Sequence, residues 1–206
     1  MYALVIDGTI TKYFNHPKGF TLGDLQYPAD IFMKWSVEEK EAIGIYEVVF
    51  NNSNKKDEQW YINTNQSFAF ADGTVTASYG TATAKAHADT TWSQDDEDAG
   101  DLPDDKSVGD IKTRGLKYNL IQTLKQQVAG ILNDTDWYIT RNTEKTTAIP
   151  SSISTHRDAV RTKQASMETA ITNASNTPAL ETLYTYTKQS DGTVTRPLGE
   201  LPTLEI

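Results

Sequence analysis

The chain has 206 residues, 37% of them hydrophobic, enough for one ordinary domain or two small ones. It contains no cysteine, which excludes a disulfide framework and thiolate chemistry, and its net charge of −9 argues against the basic footprint of a general nucleic-acid binder. No apolar run reaches the length of a membrane span, and the opening MYALVIDG lacks the basic and apolar regions of a secretory signal, so a protein made in the cytoplasm and not inserted in a membrane is expected.

In chain order, Tyr2–Ile6, Asp7-Gly8 and Thr9–Thr11 predict a β-hairpin, because Asp-Gly suits a turn with φ > 0 at both central residues. The same pattern recurs at Asp72-Gly73-Thr74-Val75-Thr76 and Asp191-Gly192-Thr193-Val194-Thr195, which predicts two further hairpins. Their irregular spacing indicates reused turn chemistry and not a solenoid repeat. Ser36-Val37-Glu38-Glu39 is a capping box that starts a short helix over about 37–43, with Gly44 as its stop. Ile45–Phe50 and Gln59–Ile62 read as strands, and residues 77–92 as small, polar and weakly structured.

Residues 93–111 hold eight acidic groups and one basic group, and seven of the carboxylates fall within 95–105. Such a block repels itself and reads as a solvated linker. Residues 112–163 reverse the balance, with nine basic groups and four acidic ones. A helix over about 112–132 places Leu116, Leu120, Ile121, Leu124, Val128, Ile131 and Leu132 on one face. A second, over about 151–175, starts at Pro150 and carries Ile153, Val160, Met167, Ile171 and Ala174. An extended tongue joins the two, so they can pack antiparallel. Tyr184–Lys188 and Thr193–Arg196 form the last hairpin, and Pro197–Ile206 reads as extended because it carries two prolines.

The fold class expected is α+β: a β-rich N-terminal domain (1–92), an acidic linker (93–111), an antiparallel helical hairpin with its tongue (112–178), and a β-hairpin with an extended tail (179–206).

No catalytic, cofactor-binding or metal-binding residue stands out. His16, His87 and His156 lack ligand spacing. Aligning Asp95 with the start of a calcium loop puts Lys106 where a bidentate glutamate belongs. No Gly-x-Ser-x-Gly elbow or phosphate-cradling loop is present, and no pair of carboxylates is singled out for glycoside hydrolysis. No enzyme activity and no cofactor are therefore expected.

The run from Lys112 to Pro178 has a recognisable order: a helix ending in Asp134-Thr135-Asp136-Trp137-Tyr138, a tongue, Pro150, and a helix with Arg157 and Arg161. This order resembles the C-terminal part of bacteriophage tail-fibre assembly and tail-associated proteins. The stretch YPADIFMKWSVEEKEAIGI (27–45) resembles the N-terminal module of phage tail-associated proteins. The resemblance implies a non-enzymatic virion structural protein of the baseplate or tail-fibre attachment region. It would be made in the host cytoplasm, meet other tail proteins, and form a homo-oligomer in the assembly. A tail-fibre assembly chaperone and a glycan-binding receptor module are the alternatives.

Each candidate contact residue has a structural reading beside the functional one. Trp137 and Tyr138 either close the end of the helix pair or anchor a neighbouring subunit. Arg157 and Arg161, four residues apart, either form a solvated face or pair with carboxylates of the acidic segment or a partner. Trp35, Trp60 and Tyr61 belong to the β core or to a sugar-stacking platform. Leu198, Leu201, Leu204 and Ile206 pack on their own domain or form an arm for another subunit.

Overall fold

Asp7 and Gly8, at φ 49° and 74°, turn the chain between β1 (Tyr2–Ile6) and β2 (Thr9–Phe14) in the computed structural model, which describes residues 1–204. Two short strands, β3 (Phe20–Leu22) and β4 (Leu25–Tyr27), pair with each other and lead into α1 (Ile31–Lys34) and α2 (Val37–Glu41). The capping box of α2 forms as expected: Glu39 N donates to Ser36 Oγ at 3.1 Å, and Ser36 N donates to Glu39 Oε2 at 2.8 Å. Then come β5 (Ile45–Asn51), β6 (Tyr61–Ile62), β7 (Gln66–Ala71) and β8 (Thr74–Tyr79), with Asp72 and Gly73 at φ 50° and 72° between the last two. β9 (Thr83–Ala84), bonded to β6, closes this part of the chain.

The five longer strands form one sheet in the order β2-β1-β5-β8-β7. All neighbours are antiparallel except β5 and β8, which run parallel with Val48 opposite Val75. Period-two alternation divides β1 between two faces. Leu4 joins Phe14, Phe20, Ile31, Phe32 and Ile45 in one buried cluster, while Ala3 and Val5 join Val48, Val75 and Ala77 in another. Gly44 is required where α2 leads into β5. It stands at φ 79°, its carbonyl accepts from Val5 N at 2.8 Å, and a Cβ there would collide with the Val5 carbonyl oxygen.

The chain divides into two compact units after Thr83, ahead of the boundary expected at 92/93. In the second unit, β10 (Thr90–Thr91) pairs antiparallel with β11 (Ile111–Thr113), and the acidic segment lies between them. That segment is therefore a clamped excursion and not an unstructured linker. It contains α3 (Gln94–Asp98), capped reciprocally by Ser93 and Asp96. Asp95, Asp96 and Glu97 occupy its first turn, where carboxylates complement the helix dipole, and this offsets part of their mutual repulsion.

Four helices follow: α4 (Leu116–Asn133), α5 (Asp136–Lys145), α6 (Ser151–Asn173) and α7 (Thr177–Tyr184). The first amides of α4 donate to the carbonyls of Ala86 and His87, which fixes where the helix begins. α4 and α6 pack antiparallel: Lys117, early in α4, reaches Thr172 O, and Arg157, early in α6, reaches Leu132 O. Leu124 and Val128 meet a face of α6 that buries Ile153, Val160, Met167 and Ile171. The last hairpin pairs β12 (Thr187–Lys188) with β13 (Val194–Thr195). Its turn differs from the other two: only Gly192 (φ 86°) has positive φ, Gly192 N donates to Gln189 O, and a three-residue loop with a bulge-type glycine results. The architecture is thus α+β, β-rich at its N-terminal end and helical beyond, with a terminal β-hairpin. Among the described residues no helix is long and apolar enough to cross a membrane.

Candidate functional site at the end of the helix pair

The expected extended tongue is a helix. After Asn133 the chain breaks for two residues, and Asp136–Lys145 winds as α5. The sequence pattern was obscured because α5 is polar on most of its surface and buries no residue, so it has no core stripe to announce it. Thr146, left-handed at φ 53°, ends the helix, and residues 147–150 join it to α6 without helix or strand.

Arg157 is the junction that fixes this arrangement. Its guanidinium, in a residue 7% exposed, donates through Nη1 to Leu132 O at 2.7 Å and to Thr135 Oγ1 at 2.6 Å. Through Nη2 it pairs with Asp136 Oδ1 at 2.8 Å. One planar fork therefore ties a C-terminal carbonyl of α4, the break at Thr135 and the start of α5 to α6. The expectation of an Arg157/Arg161 face against the acidic segment is corrected within the chain. Arg157 is buried and its three partners lie at the junction of α4 and α5, while Arg161 is exposed and meets Asp158 at 3.4 Å. The acidic segment takes other cations: Asp96 pairs with Lys112, which also lies 4.4 Å over the Trp92 ring. The hydrogen bond from Lys112, then those from the Ser93 amide and hydroxyl, lower the Asp96 carboxyl to about 2.

Beyond the junction, Trp137 and Tyr138 lie with ring centroids 3.8 Å apart. Arg141, one turn later, places its guanidinium 4.6 Å from the Trp137 centroid and 5.2 Å from that of Tyr138. Trp137 is 51% exposed, so the rings do not close the helix pair as a small core. They form one wall of a cleft of about 610 Å³, shared with Asp134, Thr135, Pro150, Ser152, Ile153 and Leu204. The cleft offers stacking, an apolar floor and the Asp134 carboxylate, with the Arg141 cation stacked on the rings at its edge. Arg141 was not singled out from sequence. Its spacing of four from Trp137 becomes informative only once α5 is known to be a helix.

The tail is not a free arm. Leu198 is buried, its amide donating to Leu183 O at 3.0 Å. Arg196 holds the turn by pairing with Glu200 at 2.8 Å and donating to Gly199 O at 3.1 Å. Leu201 and Leu204 are half-buried and line a second cleft, of about 270 Å³, with Ile131, Asp134, Thr135 and His156 of the same unit. The prolines prevent a helix, as expected, yet the leucines find apolar surface beside α4 and α6. Ile206 lies outside the described residues. In the first unit Trp60 and Tyr61 are buried and Trp35 is half-buried beside Phe20 and Tyr27, so Trp60 and Tyr61 offer no open face to a sugar.

No protein-family model, curated protein or solved structure matches the chain.

Proposed function

We propose that this chain is a non-enzymatic structural component of a bacteriophage tail, placed at the baseplate or the tail-fibre attachment region, where it binds other tail proteins. The observation that supports this reading is how the residues carrying the tail-protein resemblance are used. Thr135 and Asp136 are consumed internally by Arg157, whereas Trp137, next in sequence, stands half in solvent on a helix those bonds hold in place. A large aromatic presented on a fixed element suits a protein contact, since ordering it costs little further entropy.

Quantitative mass spectrometry of purified particles of the encoding phage tests the reading. A stoichiometric amount of the chain in virions is the expected result. Its presence in infected cells and absence from virions would favour a fibre-assembly chaperone instead. Glycan binding by the purified protein would favour a receptor module, and turnover of peptidoglycan or host polysaccharide would overturn the non-enzymatic assignment.

A further inference from the structure

α6 begins with two backbone donors that nothing in the chain engages. Pro150, at its N-cap, supplies no side-chain acceptor, and the first turn holds no acidic residue. Ile153 N and Ser154 N donate to Pro150 O, at 3.0 and 3.2 Å, while the amides of Ser151 and Ser152 have no acceptor among the described residues. Both point out of the positive end of a 23-residue helix.

His156, one turn beyond Ser152, supplies a second and independent feature. It is 8% exposed and makes no hydrogen bond among the described residues. Its ring nitrogens are nevertheless not sealed from solvent, because Arg141 Nε is the one sealed side-chain nitrogen or oxygen without a partner there. Side chains of a helix lean towards its N-terminus, so the imidazole lies back over the turn of Ser152. His156, Ser151, Ser152 and Thr155 line one cleft of about 440 Å³, and Thr203 of the tail faces them across it. The four hydroxyls make no hydrogen bond among the described residues. No Asp, Glu, Lys or Arg lines this cleft; Asp134 lines the two neighbouring ones instead.

We propose that this cleft binds a phosphate or sulfate group, either the free ion or its monoester on a larger molecule. The Ser151 and Ser152 amides would donate to it along the helix axis. The hydroxyls of Ser151, Thr155 and Thr203 and an N–H of His156 would donate from the flank and from the tail. A tetrahedral oxyanion has oxygens facing all of these directions, whereas a carboxylate has two, in one plane. The charge is met by the helix terminus and by neutral donors, and no carboxylate on the cleft opposes it. The proposal does not depend on the tail assignment.

The test is an NMR titration of the full chain, with ionic strength held at about 0.15 M by chloride so that screening stays constant. Inorganic phosphate and sulfate should shift the Ser151 and Ser152 amides and the His156 ring saturably, and acetate should not. Ser152→Asp sets a carboxylate in the first turn, which suits the helix dipole, so the melting temperature should hold or rise. The same change should weaken oxyanion binding about tenfold or more, the scale of a hydrogen bond to a charged group. Ser151→Pro removes one amide at a position where proline fits a helix, and should weaken binding similarly. His156→Leu should also weaken it; if that variant melts lower, Ser152→Asp decides alone. Glucose 6-phosphate binding as tightly as phosphate would assign the site to a monoester, and binding of the inorganic ions alone would assign it to the free ion. No saturable response, an equal response to acetate, or unchanged binding by Ser152→Asp overturns the proposal.

Discussion

Arg157 is a cation held almost wholly out of water, and three of its N–H donors are offset by oxygens of the protein. Leu132 O and Thr135 Oγ1 take Nη1 and Asp136 Oδ1 takes Nη2, a division between two nitrogens that a single ammonium does not reproduce. Arg157→Lys should therefore destabilise the second unit by ~1–3 kcal/mol, the cost of leaving buried acceptors unsatisfied, as read from the denaturant midpoint. Asp96 makes a prediction about pH. Its carboxyl, lowered to about 2 chiefly by Lys112, stabilises α3 and its tie to β11 fully above the ordinary value of 3.8. That contribution is lost as pH falls from 3.8 towards 2. Amide exchange at 93–98 should rise across that window, and Lys112→Ala should move the Asp96 titration, followed by NMR, back towards the ordinary value.

Among the elements, α4 tests the helical phase. Leu124 is 3% exposed against α6, whereas Thr123 faces solvent with its hydroxyl bonded back to Asn119 O. Leu124→Ala should cost ~2–5 kcal/mol and Thr123→Ala little, judged by chemical unfolding. The tail belongs to the same packing. Leu198, also 3% exposed, should behave as a core residue, with Leu198→Ala costing ~2–5 kcal/mol, while the half-buried Leu201 tolerates the same change better. Equal, small effects at Leu198 and Leu201 would return the tail to the role of a loose arm.

At the scale of the molecule, the first unit contains its own sheet and a buried cluster on each of its faces. Residues 1–83 should therefore fold when expressed alone, with a cooperative melt and dispersed amide resonances. A unit of this size has little core to spare, so Ile45→Ala, at 1% exposure, should abolish that melt. A non-cooperative melt of the unmutated fragment would show that the division after Thr83 is not a folding boundary.

Local chemistry was legible from the chain alone. The Asp-Gly turns at 7–8 and 72–73, the Ser36/Glu39 capping box, and the apolar faces of α4 and α6 each depend on residues within about one turn or one hairpin of each other, so spacing suffices to define them. The Thr135-Asp136-Trp137 and Arg157 positions were also visible, but not what they do. That Arg157 bonds Thr135 and Asp136 depends on contacts more than twenty residues apart, which periodicity does not encode. The helical form of α5 was hidden because no buried stripe marks it, and its exposed rings are organised by Arg141 and not by a core. The acidic segment looked unfoldable by charge count. Only the pairing of β10 with β11, and the placing of its first carboxylates at a helix N-terminus beside Lys112, made order affordable there. The tail's leucines were apolar in any reading; their docking within the second unit was decided by the surface that α4, α6 and α7 leave uncovered once they have packed.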